Sequence, residues 1–202
     1  MAVLGIRTLG DPVLRTRAEE VAQITPAVHQ LVDDMLETME DVHGAGLAAP
    51  QVGVAQRVFT FNIDGVKGHV INPVLVNSED HQPDEQEGCL SVPGIAAPVR
   101  RFRRTTVRGI DRDGRPVELD AEGMLARCFQ HETDHLDGIL FIDRLSGDER
   151  RKALRALRSG EYDAAERQTR ERRAGTVASA FGKAPGSDDQ RETPRGAFGQ
   201  AL

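Results

Sequence analysis

The sequence predicts an α+β fold in which short, mainly antiparallel strands surround a central helix carrying an H-E-x-x-H pattern, followed by a C-terminal helical extension. Three observations carry this. Two segments have apolar residues at helical spacing, near residues 26–43 and 120–136. Between them lies a Val-, Ile- and Phe-rich stretch with strand-like alternation and turn residues. The second helical segment contains "HETDH".

The first helix is expected from "TPAVHQLVDDMLETMEDVHG". Thr25 is the candidate N-cap, Pro26 suits the first helical position, and Val28, Leu31, Val32, Met35, Leu36, Met39 and Val42 form one face that Gly44 closes. From Val54 to about Val76, "QRVFTFNI" alternates as a strand should, and Gly65, Gly68 and Pro73 are read as breakers between short strands. "TTVRGIDRDGRPVEL" has the form of a hairpin turning at Asp113 and Gly114. The second helix is expected from about Asp120, as its N-cap, to Leu136, with a stop near Gly138. These elements make one domain over residues 1–147. Residues 148–173 are read as a charged helix with few apolar positions, among them Leu154 and Leu157, and 174–202 as a disordered tail rich in Gly, Ala, Ser and Pro.

A chain of 202 residues with 39% hydrophobic content can bury one sizeable core. Its net charge of −6 argues against a global basic field for nucleic acid or an anionic membrane. Arg7, Asp11 and Pro12 interrupt the N-terminal segment before an apolar stretch can form, and no run of about 18 apolar residues occurs. The expectation is a cytoplasmic protein. In a reducing compartment its two cysteines, Cys89 and Cys128, are read singly and not as a disulfide.

His131 and His135, four apart, share one helix face and can reach one cation, while Glu132, one step round, can touch a water on it. The alternative is an exposed helix with two solvated histidines. A catalytic centre needs a third protein ligand and an open position. The longer pattern H-E-x-x-H-x-x-G-x-x-H fails, because Gly138 is present but Phe141 replaces the last histidine. Glu149, Glu161 and Glu166 lie in the charged segment, which has the least core to fix a ligand. Cys89, in "EGCLSVPG", is therefore the best candidate, giving a thiolate and two imidazoles.

Three segments together, "GAGLAAPQ" (Gly44 to Gln51), "EGCLS" (Glu87 to Ser91) and "QHETDH" (Gln130 to His135), resemble the peptide deformylases in order and separation, over about residues 1–145. The resemblance implies a divalent metal held by Cys89, His131 and His135. In the family this is ferrous iron, replaceable by nickel, cobalt or zinc. It makes Glu132 the general acid/base and assigns oxyanion stabilisation to Gln51 and the backbone N–H of Leu90. It implies substrate contacts at Gly44, Ala45 and Gly46, where small residues let a peptide lie alongside like an added strand, although a lone GxG is also an ordinary turn. Met124 and Cys128, on the His131 face, would line the pocket for the substrate methionine, a face that core packing alone would also explain. Arg127 is a departure, standing where many members carry an apolar residue beside that pocket. Glu87 and Arg101 match an ion pair that steadies the cysteine loop.

The reaction so implied is hydrolysis of the formyl group from the N-terminal formyl-methionine of nascent polypeptides, with release of formate. The family's C-terminal helix can contact the ribosome near the exit tunnel. Here residues 148–173 hold nine Lys+Arg against six Asp+Glu, an excess that a solvated face would also show. A metallopeptidase and an inactive homologue with a structural metal are the competing classes. Glu132 and Gln51 argue against the second, since a structural site needs neither.

Overall fold

A computed structural model describes residues 2–160, 162–169 and 171. The first helix, α1 (Pro26–Asp41), begins with Pro26 behind Thr25, whose side chain makes no capping bond. It buries Val28, Val32, Met35 and Met39. It closes as His43 takes a positive φ of 52° and Gly44 N–H donates to the Met39 carbonyl, a left-handed termination.

A five-stranded antiparallel sheet follows, in the order β1-β2-β3-β6-β7. Its strands are β1 (Gly46–Ala48), β2 (Val58–Ile63), β3 (Val66–Asn77), β6 (Arg104–Ile110) and β7 (Pro116–Glu122). Asp64 and Gly65 both take positive φ, 51° and 83°, in the β2–β3 turn, as a tight two-residue hairpin requires. The Gly114 turn joins β6 to β7 as expected. Two expected breakers are not breaks: Gly68 and Pro73 lie inside β3. The register with β6 shifts between Ile71 and Val74, so a bulge accommodates Pro73, which has no N–H to give the ladder. Asn72 adopts a φ of 53° at this bulge and pairs through its amide with Val21 N and O, at 2.8 and 3.0 Å.

The helix carrying HETDH is α2 (Gly123–Leu136). It starts later than expected, and Asp120 is not its cap. The strand pairing of β7 persists to Glu122, opposite Arg104, and Asp120 faces Thr106 in the ladder. Successive β2 residues face opposite sides of the sheet. Val58 joins the α1 cluster and Thr60 Oγ1 approaches Met39 Sδ, whereas Phe59 and Phe61 pack on Phe129 of α2, with ring centroids 5.8 and 5.0 Å apart. The sheet therefore separates the two helices.

On the far side of α2 a two-stranded ribbon, β4 (Glu85–Cys89) and β5 (Val92–Val99), covers the histidine face. Behind the ribbon, α3 (Gly147–Leu157) buries Ala153 and partly buries Leu157 against a cluster that includes Cys89, Val92 and Phe141. Leu154 stays 38% exposed, so the docking face is narrower than the two leucines suggest. Helical residues resume at 160 after an interruption at 158–159, Tyr162 joins the same cluster, and Thr8 Oγ1 donates to Glu166. The expected tail at 174–202 lies outside the described residues.

Candidate metal and active site

The β4–β5 register slips between Gly88 and Cys89, and this irregularity turns Cys89 toward α2. Cys89 Sγ stands 3.2 Å from His135 Nε2 and accepts from Ser91 N–H at 3.3 Å. Ligand atoms of Cys89, His131 and His135 all lie within 4.8 Å of one another, and all three residues are buried. Helix and ribbon, separated by about forty residues of chain, thus meet at one point.

The ring of His131 is oriented from behind. Its Nδ1 is 3.1 Å from Glu87 Oε2, while its Nε2 is buried with no hydrogen-bond partner among the described residues. Glu87 is wholly buried and bound bidentately by Arg101, at 2.8 and 2.9 Å. The matched pair is therefore internal and not a surface contact. Burial would raise the Glu87 carboxyl, but hydrogen bonds from Arg101 and His131 outweigh it and hold the group well below the usual carboxylate range. Burial also opposes a charged His131, yet contacts with Cys89 and Glu87 prevail and raise it to about 10. A cation held by His131 would compete with that proton.

Glu132 is fully buried, and neither carboxylate oxygen has a hydrogen-bond partner among the described residues. Burial pushes its carboxyl up to about 7, with the charge on His131 opposing and Glu87 adding. The carboxylate lies against Gly46: a Cβ there would come within 2.4 Å of Glu132 Oε1 and 2.8 Å of Cys128 Sγ. Only glycine fits this approach. Gln51, 1% exposed, accepts from Ala48 N–H at 2.8 Å through Oε1, which leaves Nε2 directed at Ser91 Oγ (3.3 Å) and Cys89 Sγ (3.7 Å). Leu90, next to Cys89, is buried.

The donor set suits a divalent metal. Orphaned buried polar groups cost roughly 1–3 kcal/mol each, and here several such atoms converge beside a thiol, which a cation with its water would satisfy. One sulfur and two imidazole nitrogens leave a coordination position open.

The expected substrate residues divide. Gly44, Ala45 and Met124 line one cavity of about 200 Å³ with His43 and Ile63. Gly46 and Cys128 instead pack on each other and on Glu132, and Cys128 Sγ lies 3.7 Å from the Ala45 carbonyl. Burial raises the Cys128 thiol well above its ordinary value, with the charges of Glu132 and Glu87 adding. Arg127 does not stand at a pocket rim. It is completely buried and donates to Glu87 Oε1 at 2.8 Å. Sequence reasoning missed this role and that of Asp134, which Arg101 and Arg144 both bind. An arginine four residues before H-E-x-x-H and an aspartate inside it, next to the second histidine, were the available signal.

A thiol and two helix-borne imidazoles round one point, with a carboxylate beside them, are a donor set that could hold one metal ion, as a mononuclear metal hydrolase requires. The family model for polypeptide deformylase matches residues 3–151. The peptide deformylase of Acidothermus cellulolyticus is 52% identical over 162 residues, covering 80% of this chain and 89% of its own. That of Parafrankia sp. is 51% identical over 163 residues, with the same coverage. The crystal structure of the Thermus thermophilus peptide deformylase superposes with a TM-score of 0.75 at 43% identity, covering 83% of this chain and all of that one. A Synechococcus elongatus peptide deformylase in complex with actinonin gives 0.72 at 38%, covering 80% and 90%. The chain belongs to the polypeptide deformylase family, metal-dependent hydrolases that remove the N-terminal formyl group from nascent polypeptides.

Proposed function

We propose that this chain deformylates N-terminal formyl-methionine at the centre formed by Cys89, His131, His135 and Glu132. The observation that carries this is the convergence of three ligand atoms within 4.8 Å beside an unpartnered, buried Glu132 carboxylate. Cys89, His131 and His135 hold the metal, with ferrous iron as the proposed native ion and nickel, cobalt or zinc able to take the same donors. When bound, the cation supplies Lewis acidity to a water and to the formyl oxygen.

The protein's own groups do the rest. Glu132 takes the proton of the attacking water as its oxygen adds to the formyl carbon, then delivers it to the amine nitrogen as the C–N bond breaks. Gln51 Nε2, held in place by Ala48 N–H, and the backbone N–H of Leu90 donate to the formyl oxygen as it becomes negative. The peptide lies extended along Gly44, Ala45 and Gly46, with its methionine side chain against the Met124–Cys128 face of α2. A formyl carbon bears only hydrogen, so a close-fitting site excludes acetylated chains by size.

Protein purified anaerobically with one iron or nickel per chain should release formate from formyl-Met-Ala-Ser and leave unformylated Met-Ala-Ser intact. Cleavage of the free peptide without formate release would instead make it a metallopeptidase. Cys89→Ser should lower metal content on elemental analysis, and full retention would remove Cys89 from the ligand set.

We further propose that residues 1–147 are the catalytic unit and that the charged segment 148–173 contacts the ribosome from a cytoplasmic location. Exposed Arg150, Arg151, Lys152 and Arg155 on α3 support this, and among the described residues no helix is long and apolar enough to cross a membrane. Deleting the segment would strip Ala153 and Leu157 from the cluster behind Cys89, so charge reversal is the better probe. Arg151→Glu with Arg155→Glu should reduce cosedimentation with ribosomes, and unchanged cosedimentation would count against the contact.

A further inference from the structure

Arg127 is a fully buried arginine on α2, four residues before His131. Its Nη1 donates to Glu87 Oε1 and to the Val99 carbonyl, both at 2.8 Å, and its Nη2 donates to the Pro83 carbonyl at 3.1 Å. Arg101 already binds Glu87 bidentately. Arg101 also binds Asp134, and Arg127 Nε lies 3.8 Å from Glu85 Oε2, so charge balance accounts for part of its burial. Desolvating a guanidinium is still expensive, and the geometry shows what that burial achieves. Arg127 ties α2 to both sides of the ribbon, at Val99 in β5 and at Pro83 just before β4, and holds Glu87 between them. Glu87 Oε1 then receives Arg101 Nε and Arg127 Nη1, while Oε2 receives Arg101 Nη2 and faces His131 Nδ1. All four contacts fix one orientation of the carboxylate.

We propose that Arg127 is a positioning residue for the metal centre. By locking Glu87 between helix and ribbon, it keeps the proton of His131 on Nδ1 and Nε2 turned toward Cys89 and His135. This rests on the reading of Cys89, His131 and His135 as the ligands. The clamp acts on how long and in what geometry the metal is held.

The test uses full-length protein loaded with cobalt, comparing wild type, Arg127→Leu, Arg127→Lys and Met35→Ala, the last a core variant in α1, which makes no contact with the clamp's hydrogen bonds. Release of cobalt to a chelator and its visible absorption spectrum are measured, with near-UV circular dichroism as the check on folding. Arg127→Leu should release cobalt about 10–100-fold faster, the range typical for loss of a group that orients a ligand, with an altered spectrum. Arg127→Lys reaches Glu87 but not both carbonyls, and should fall between. Met35→Ala should release cobalt at the wild-type rate with the wild-type spectrum. A folded Arg127→Leu protein with wild-type release and spectrum overturns the proposal. So does an equal acceleration in Met35→Ala, which would mark a merely structural effect. If Arg127→Leu does not fold, a wild-type rate and spectrum in Arg127→Lys overturns it. Wild-type protein that binds no cobalt overturns the ligand reading itself, and that result is distinct from all the others.

Discussion

The two long helices, α1 and α2, lie on opposite faces of one sheet, yet they are buried in different chemistry. α1 presents Val28, Val32, Met35 and Met39 to its cluster, nearly all of it apolar. α2 buries an unbroken run from Ala126 to Leu136 that includes Arg127, Gln130, His131, Glu132, Thr133, Asp134 and His135. Burying that many polar groups opposes folding unless each finds a partner. Glu87 supplies a partner to Arg127 and His131, and Arg101 and Arg144 supply partners to Asp134. Glu132 is left without one among the described residues. The contrast assigns stability to α1 and chemistry to α2, and each substitution below should move one quantity and spare the other.

The largest separation is expected from Glu132→Gln. It removes the proton carrier but keeps shape and ligands, so deformylation should fall by about 10²–10⁴-fold with metal content unchanged. The thermal midpoint should not drop, because a neutral amide is easier to bury than a carboxylate. A variant with full activity would end the acid/base assignment, and one that unfolds would show that α2 is a stability element after all. Gly46→Ala probes the same carboxylate from the strand side. The added methyl must displace Glu132 Oε1 or Cys128 Sγ, so activity should fall by more than tenfold while metal is retained.

Met35→Ala is the reciprocal probe. Met35 is fully buried, and removing it should cost about 2–5 kcal/mol of stability. Metal stoichiometry and turnover of the folded fraction should stay at wild-type values. A loss of bound metal in this variant would mean that the two faces of the sheet are coupled.

The same contrast explains what the sequence could tell. The apolar periodicity of α1, the Asp113–Gly114 turn and the H-E-x-x-H spacing are local signals, and the structure has these elements near the expected positions. Asp120 looked like a cap because caps and strand ends use the same residues. What decides is pairing of β7 with β6 out to Glu122, which lies in another segment of chain. Pro73 reads as a break until the bulge beside it is seen. Arg127 was the hardest to place, since its partners Glu87, Val99 and Pro83 are 40, 28 and 44 residues away. Motif likeness put Cys89, Gln51 and the histidines in one site, and these side chains do lie together in the fold. It gave no account of the clamp behind them, because a salt bridge across forty residues has no spacing rule.

The smallest effect should come from the α1 side, where titratable groups such as His69 and Asp33 are only partly buried. His69 of β3 is half-buried and its Nε2 accepts from Arg112 N–H at 2.9 Å, while the Arg112 side chain pairs with Asp33 of α1. Burial, and then the Arg112 charge, hold the His69 imidazole below its ordinary value. A lowered imidazole means that the native state binds its proton less well than the unfolded chain. The associated stability is present above the unfolded value of about 6.5 and is lost as pH falls from there toward the folded value. The His69 ring resonances should therefore titrate with a midpoint below 6.5. His69→Gln, which keeps an acceptor for Arg112 N–H, should flatten the fall in denaturation midpoint as pH drops below about 6.5 without altering deformylation at neutral pH. A His69 midpoint at or above 6.5 would remove this contribution.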